Sequence, residues 1–196
     1  MASDVIMGLV RAVEMPKLDG HLAFVAYMKF AHGIMRASRR LMEVAIEKST
    51  GALREYYRAH LVEESDHAEW MARDIALLGA QPDQVDHAAA ATAGAQYYYL
   101  EHVGPHALLG YMAALEFRPM PLDHVDALEK LYGPQALRTL RYHAAHDPEH
   151  AKELARVIDQ HMEFAPLIIY NASVTAQMLA FYLTEKIKLA GGANDQ

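Results

Sequence analysis

Residues 141–150 read RYHAAHDPEH and place His143, Asp147 and His150 at offsets of 0, 4 and 7. On an α-helix, where successive residues are about 100° apart, these three side chains fall within an arc of about 60°. Two imidazoles and a carboxylate on one helix face are a ligand set suited to non-haem iron or a similar divalent ion. The stretch therefore predicts a metal-binding helix.

The same spacing occurs upstream, in the stretch RAHLVEESDHAEW at residues 58–70. There, His60, Glu64 and His67 also stand at offsets of 0, 4 and 7. If this stretch is a single helix, its three side chains form a second stripe. The repetition predicts two half-sites facing each other across one metal centre.

A further carboxylate is predicted in the apolar stretch LLGYMAALEFRP at residues 108–119. Glu116 has no cationic residue three or four positions before it. A carboxylate on such a helix is costly to bury unless it binds a metal or is otherwise paired. The ligand set then holds three imidazoles and three carboxylates, which suits two iron ions or two manganese ions, with His60 as a further ligand or as a partner of one. Its members are Glu64, His67, Glu116, His143, Asp147 and His150.

The composition indicates a globular chain and excludes several function classes. With 53% hydrophobic and 22% charged residues, residues 1–196 are expected to form one helical domain with a frayed tail at 190–196. A net charge of −7 argues against nucleic-acid binding. The absence of cysteine excludes disulfides, thiol nucleophiles and thiolate metal sites. It is compatible with the cytoplasm, and the first residues lack the apolar run of a signal peptide.

Glycine and proline divide the chain into helical segments, and no segment shows the alternation of a strand. After a short first helix, we expect helices over residues 21–48, 51–78, 86–102, 106–117, 122–131, 135–162 and 167–189, with a kink at Pro148. The fold class is therefore an all-α bundle of about seven to eight helices.

One segment is long enough to span a bilayer, because residues 164–184 carry no charge. Four polar residues in its middle favour a buried bundle helix over a membrane span. Of these, Asn171 and Thr175 share one face and are candidates to line a substrate pocket.

The order Glu64-x2-His67, Glu116, His143-x3-Asp147-x2-His150 resembles the haem-oxygenase-like di-iron oxidases and oxygenases. The resemblance extends from the third predicted helix to the seventh. It implies a compact bundle of about seven helices, with O₂ activation at a labile two-iron centre and a small organic substrate of amino-acid or fatty-acid type. Some members carry a glutamate seven residues before the first histidine of the pattern, where this chain has His60. This departure leaves open whether Glu64, Glu63 or His60 completes the first half-site.

Three other interpretations remain. A ferritin-like di-metal protein would pair the two E/D-x2-H segments with Glu116 and with Glu43 or Glu47. A metal-free helical interaction module would turn its histidines towards solvent or a partner. A true haem oxygenase would use one proximal histidine near the N-terminus, such as His21 or His32, but this would leave both triplets unexplained. The sequence leaves the oligomeric state open, with a homodimer as the commonest soluble assembly.

Overall fold

A computed structural model describes residues 1–192, in which every regular element is helical. The all-α prediction is confirmed. Short 3₁₀ helices cover Pro134–Leu137 and Met162–Phe164. The α-helices, in chain order, are α1 (Ala2–Ala12), α2 (Gly20–Lys48), α3 (Gly51–Glu64), α4 (His67–Leu77), α5 (His87–His102), α6 (Ala107–Glu116), α7 (Leu122–Tyr132), α8 (Arg138–Gln160) and α9 (Ala165–Gly192).

Helix α2 lies at the centre of the bundle because apolar residues occupy more than one of its faces. Phe30 and Ile34 join the main core, which is built with α1, α3, α5, α6, α8 and α9. Phe24 and Met28 join a second apolar cluster with α4, α7 and the start of α8. Helices α6 and α9 pack closely against each other, and α6 also contacts α8. This arrangement surrounds α6 and brings its carboxyl end inside the bundle.

The predicted helix over residues 51–78 is two helices, so the prediction of a single histidine stripe there was wrong. Helix α3 ends at Glu64 and α4 begins at His67. At the break, Ser65 and Asp66 form a turn, in which the Ser65 hydroxyl donates a hydrogen bond to the Val62 carbonyl and Asp66 has φ −105° and ψ 0°. A side chain that bonds a carbonyl of the last turn competes with helix continuation. By contrast, α8 runs through Pro148 without interruption.

Helix α9 carries polar residues that bind its neighbours in the bundle. The Asn171 amide donates hydrogen bonds to the Ala107 carbonyl at 2.7 Å and to the Gln96 side chain at 2.8 Å. Gln96 in turn donates to the Thr175 hydroxyl at 3.2 Å. By length and composition, α9 would suffice to cross a membrane, yet 39% of its most apolar window is buried within the described fold. The helix continues to Gly192, and the remainder of the predicted frayed tail, residues 193–196, lies outside the described residues.

The close approach of α6 and α9 occurs at Gly110. A Cβ atom there would contact the Ile168 carbonyl oxygen and lie 2.8 Å from the Ala172 nitrogen, both of them backbone atoms. We expect Gly110→Ala to lower the free energy of unfolding by about 1–3 kcal/mol, because overpacking outweighs the gain in helix propensity. Urea denaturation measures this. Gly8→Ala is the control: its Cβ meets nothing within 4 Å on α1, so it should stabilise by about 0.5–1 kcal/mol. An unchanged Gly110→Ala variant would contradict the packing.

Candidate metal centre

Helices α3, α4 and α8 bring three of the predicted ligands into one group. Glu64 ends α3, His67 begins α4 and His143 lies on α8. One possible ligand atom from each of the three lies within 4.8 Å of the other two. The break after Glu64 is therefore compatible with a metal site, since it turns His67 back towards Glu64.

A second group lies beside the first, at the carboxyl end of α6. His60 Nε2 is 3.3 Å from Glu116 Oε1, and the ring centroids of His60 and His150 are 5.6 Å apart. Asp147 links the two groups, because its Oδ1 lies 2.9 Å from His143 Nδ1 and 3.9 Å from His150 Nδ1. All seven predicted residues thus meet at one place. Glu63 lies at the edge, with a half-exposed side chain whose Oε2 is 3.4 Å from His150 Nε2.

Most of the buried, unsatisfied polar atoms in the described part of the chain belong to this cluster. Residues 1–192 contain five buried side-chain nitrogen or oxygen atoms without a hydrogen-bond partner, and four of them are His67 Nε2, His143 Nε2, His150 Nδ1 and Glu116 Oε2. A buried polar group without a partner costs about 1–3 kcal/mol. Because buried polar atoms are normally paired, several such atoms converging in one place are arranged to bind an ion. Imidazole and carboxylate donors fit a divalent transition metal.

Two carboxylates orient two of these histidines. Glu64 Oε2 lies 2.7 Å from His67 Nδ1, and Asp147 Oδ1 lies 2.9 Å from His143 Nδ1. When Nδ1–H donates to a carboxylate, the neutral imidazole leaves the lone pair of Nε2 free. Hydrogen bonding of this kind fixes the tautomer of a metal-binding histidine and raises its basicity. The two unpartnered Nε2 atoms are therefore prepared to bind a metal.

The protonation states of His60 and Glu116 are shifted towards their neutral forms. Burial raises the pKa of Glu116 well above its usual value, and the nearby Asp147 and Glu64 add to this shift. Burial lowers the pKa of His60 to about 4, so its imidazole is neutral at pH 7, as a metal ligand must be. For Glu64, burial raises the pKa, but the hydrogen bond from His67 and the nearby histidines outweigh it and lower the pKa overall.

The shift of Glu116 makes the stability of the metal-free protein depend on pH. A folded carboxyl with a raised pKa holds its proton where the unfolded one has lost it, so stability falls as pH rises above about 4.5. Glutamine at this position has no proton to lose. We expect metal-free Glu116→Gln to match the wild type near pH 4 and to exceed it increasingly up to the folded pKa of Glu116. Urea denaturation at a series of pH values measures this, and a constant difference would contradict it.

The cluster opens into a cavity of about 970 Å³ between α1, α2, α6, α8 and α9. Six of the seven residues line it, His67 being the exception. Most of the remaining lining is apolar, with the cations Lys17, Arg39 and Arg118 among its members. Sequence reasoning missed the stripe that α2 presents to this space, namely Tyr27, Ala31, Ile34 and Ser38. Their spacing of three and four residues is the signal that could have revealed it.

Several other residues that the sequence analysis named lie outside the cluster. Asn171 and Thr175 are in the buried network of α9, and the cavity is lined instead by Ala176, Leu179 and Leu183, so their predicted pocket role was wrong. Glu43 and Glu47 form ion pairs with arginines on the surface of α2, away from the second carboxylate position that a ferritin-like site would need. Neither His21 nor His32, the candidates for a haem ligand, lines the cavity.

Comparison with known proteins shows the fold. No protein-family model matches the chain, and no curated protein does. A crystal structure of a domain of unknown function with a haem-oxygenase-like fold, from Shewanella denitrificans OS217, matches with a TM-score of 0.76 at 16% sequence identity. The match covers 96% of this chain and 85% of that one. The chain therefore has the haem-oxygenase-like fold.

Proposed function

We propose that the protein is a non-haem di-iron oxidase or oxygenase, which activates O₂ and acts on a small organic substrate. The observation that carries this proposal is the set of four unpartnered buried atoms on His67, His143, His150 and Glu116, which converge beside one cavity. A purely structural cluster would satisfy these atoms internally, because each unpaired one is destabilising. Bound metal ions would remove this destabilisation, because they would pair with all four atoms.

The two groups of residues suggest how two ions would be held. One ion would be held by Glu64, His67 and His143. The other would be held by Glu116 and His150, with His60 next to Glu116. Asp147 would serve both groups of ligands. Each group supplies imidazole nitrogen and carboxylate oxygen, which suit iron and also manganese. When bound in their reduced form, the metals supply the electrons that O₂ requires.

The cavity supports a substrate of amino-acid or fatty-acid type. Its apolar lining from α2, α6 and α9 would bind a hydrocarbon part and exclude water from the reacting end. Lys17, Arg39 and Arg118 are the cations of the lining, and each is a candidate to pair with a substrate carboxylate. Arg118 also donates a hydrogen bond to the Val13 carbonyl, which ties the segment after α6 to the segment after α1 beside the cavity. Tyr27, also on the lining, offers a phenol near Asp147; burial raises its pKa to about 12, so it remains protonated.

Anaerobic titration of the metal-free protein with Fe(II), followed by stopped-flow mixing with O₂, tests the proposal. We expect about two irons to bind per chain and a visible absorption band to appear and decay after mixing with O₂. Binding without any reaction with O₂ would contradict the oxidase proposal. No binding would leave the metal-free interaction module. Parallel titration with Mn(II) distinguishes the two candidate metals.

We also propose that the reaction takes place in the cytoplasm, with which the absence of cysteine is compatible.

A further inference from the structure

Helix α9 presents an uncharged stripe to the exterior of the bundle. Residues 164–184 contain no Asp, Glu, Lys or Arg. Within them, Tyr170 and Phe181 are 62% and 61% exposed, and Gln177 is exposed on the same face. The cavity-lining residues of α9 lie on the opposite face of the helix. The stripe is thus separate from the candidate metal centre, and its role does not depend on the proposed function.

The neighbouring helix α5 extends this surface. Residues 88–100 of α5 are also free of charged side chains, and Tyr98 among them is 63% exposed. Tyr99 lies close enough to both Tyr98 and Tyr170 to raise its pKa slightly, after the larger effect of its own burial. Enrichment in tyrosine and phenylalanine with depletion of charge is typical of the centre of a protein–protein interface. The depletion of charge on this surface contrasts with the rest of the chain, whose net charge is −7.

We propose that this stripe is a homodimer interface in which α9 packs antiparallel against α9 of a second copy, about a two-fold axis between Thr175 and Ala176. In such a dimer, residues equally distant from the axis oppose each other. Tyr170 then meets Phe181 of the second copy, and Val174 meets Gln177 of the second copy. Both pairs are repeated by the symmetry, so Tyr170, Gln177 and Phe181 all find partners at once.

The charges that flank the stripe support this register. Exposed Glu163 stands just before α9, with its Oε1 4.0 Å from His161 Nδ1. Exposed Lys188 lies near the end of α9, where it pairs with Glu185 of the same helix at 2.7 Å and keeps its remaining N–H donors for a second partner. Both are equally distant from the proposed axis, so each Glu163 meets Lys188 of the second copy. A parallel arrangement would instead bring Lys188 towards Lys188 and Glu163 towards Glu163, which like-charge repulsion disfavours. The sequence of α9 is therefore self-complementary only in the antiparallel sense.

The exposed aromatic rings supply a large share of the area that such an interface needs. An aromatic side chain buries about 150–250 Å² when fully covered. With more than half of that exposed on each of Tyr98, Tyr170 and Phe181, the three rings offer on the order of 350 Å² per copy. A standard interface buries about 800 Å² per partner. The rings would supply nearly half of it, and the small and polar residues between them supply a surface for the remainder.

A second copy fits this surface better than a lipid bilayer does. Membrane-binding helices of soluble proteins carry Lys and Arg beside their apolar face, which attract anionic lipids. The α9 stripe has no cation between residues 164 and 184, and an acidic residue, Glu163, stands directly before it. Membrane binding is nevertheless a measurable outcome of the experiment below.

Sedimentation velocity across about 1–100 μM protein, with variants matched in charge change, tests the dimer. The wild type should sediment as a 43.8 kDa species, twice the 21.9 kDa of one chain. Phe181→Glu places a charge in the interface and should raise the dissociation constant at least about 30-fold, as loss of a central contact does. Leu131→Glu is the control, because Leu131 is even more exposed than Phe181 but lies on α7. This variant should remain dimeric. Circular dichroism establishes that each variant is folded.

A charge exchange tests the register separately. Lys188→Glu alone should weaken the dimer up to about tenfold at low salt, since two exposed ion pairs are lost. Adding Glu163→Lys to it re-forms both pairs in reversed order and should restore wild-type affinity. A monomeric wild type, or a Phe181→Glu variant that dimerises as tightly as the wild type, would overturn the interface. Failure of the double variant to recover would overturn the antiparallel register, and wild-type flotation with anionic vesicles as a monomer would replace the second copy by a membrane.

Discussion

His150→Ala is expected to abolish iron binding and, with it, the reaction with O₂. His150 lies on α8 one turn after Asp147, and its Nδ1 is a buried atom without a hydrogen-bond partner. Loss of a residue that merely orients a ligand typically lowers metal affinity by about 10- to 100-fold. Loss of a direct ligand should exceed that range. Since Asp147 lies between the two groups of ligands, the effect should extend to both ions.

Iron per chain, measured by elemental analysis after anaerobic loading and desalting, gives the result directly. The matched control is His146→Ala, because His146 lies on the same helix but faces outwards and bonds the Tyr142 carbonyl through Nδ1. It should retain the wild-type iron content. Equal iron in the His150→Ala variant, with normal turnover, would remove His150 from the ligand set. Loss in both variants would point to general damage to α8 instead.

Lys186→Met is expected to lower the free energy of unfolding by about 3–5 kcal/mol, as breaking a buried ion pair does. The Lys186 ammonium lies 2.6 Å from Asp83 Oδ2 and 2.5 Å from Asp86 Oδ2. Asp86 is almost fully buried and also accepts the Ala89 N–H at 2.9 Å, which caps the start of α5. Methionine would leave the Asp86 carboxylate buried without its cation. The pair thus joins α9 to α5, at the end of α9 away from its Asn171 network.

The pH dependence of this loss follows from two opposite pKa shifts. For Lys186, burial lowers the pKa, but hydrogen bonds to Asp83 and Asp86 outweigh this effect and raise the pKa above 10.5. The contribution of Lys186 to folding stability is therefore fully present below pH 10.5 and is lost as pH rises through the pKa of the folded state. For Asp83, burial raises the pKa, but hydrogen bonds from Lys186 and Lys29 outweigh this effect and lower the pKa below 3.8. The contribution of Asp83 to folding stability is therefore fully present above pH 3.8 and is lost as pH falls through the pKa of the folded state. The difference between wild type and variant should be largest between these limits.

Denaturant unfolding at pH 3, 7 and 11 would measure both the size and the pH range of the effect. Lys152→Met is the control, because Lys152 pairs with Glu149 one turn away on the exposed face of α8. Exposed pairs of this kind contribute about 0.2–1 kcal/mol, so this variant should remain close to the wild type. If the two lysine variants lose equal stability at pH 7, the buried pair does not stabilise the junction of α5 and α9.

Local spacing was enough to predict part of the candidate site. The stripe of His143, Asp147 and His150 depends on the period of a single helix, and α8 is continuous through all three. Glu116 could be predicted for a different reason, because a carboxylate among apolar residues on a short helix has few stable environments. In the structure, Glu116 is buried at the carboxyl end of α6. Both inferences used only neighbouring residues.

The same reasoning failed where packing overrides the local pattern. Spacing placed His60, Glu64 and His67 on one helix, but the chain turns between α3 and α4. His67 lies beside His143 because α4 packs against α8, which the local sequence does not specify. Spacing also could not choose between Glu63 and Glu64, because adjacent helical residues differ by about 100° and the packing of the bundle decides which one faces inwards. Glu64 faces the cavity, while Glu63 lies at its edge.

By itself, the sequence determined that the chain is helical, where most helices end, and which residue types could form a metal centre. Helical periodicity and Gly/Pro breaks are properties of short segments, so they can be read without knowing the fold. Only the tertiary structure decided which of these residues meet, that Asn171 bonds α5 and α6 instead of lining the cavity, and that Lys186 is held by Asp83 and Asp86. These contacts join residues more than 60 positions apart, and no local pattern specifies such distances.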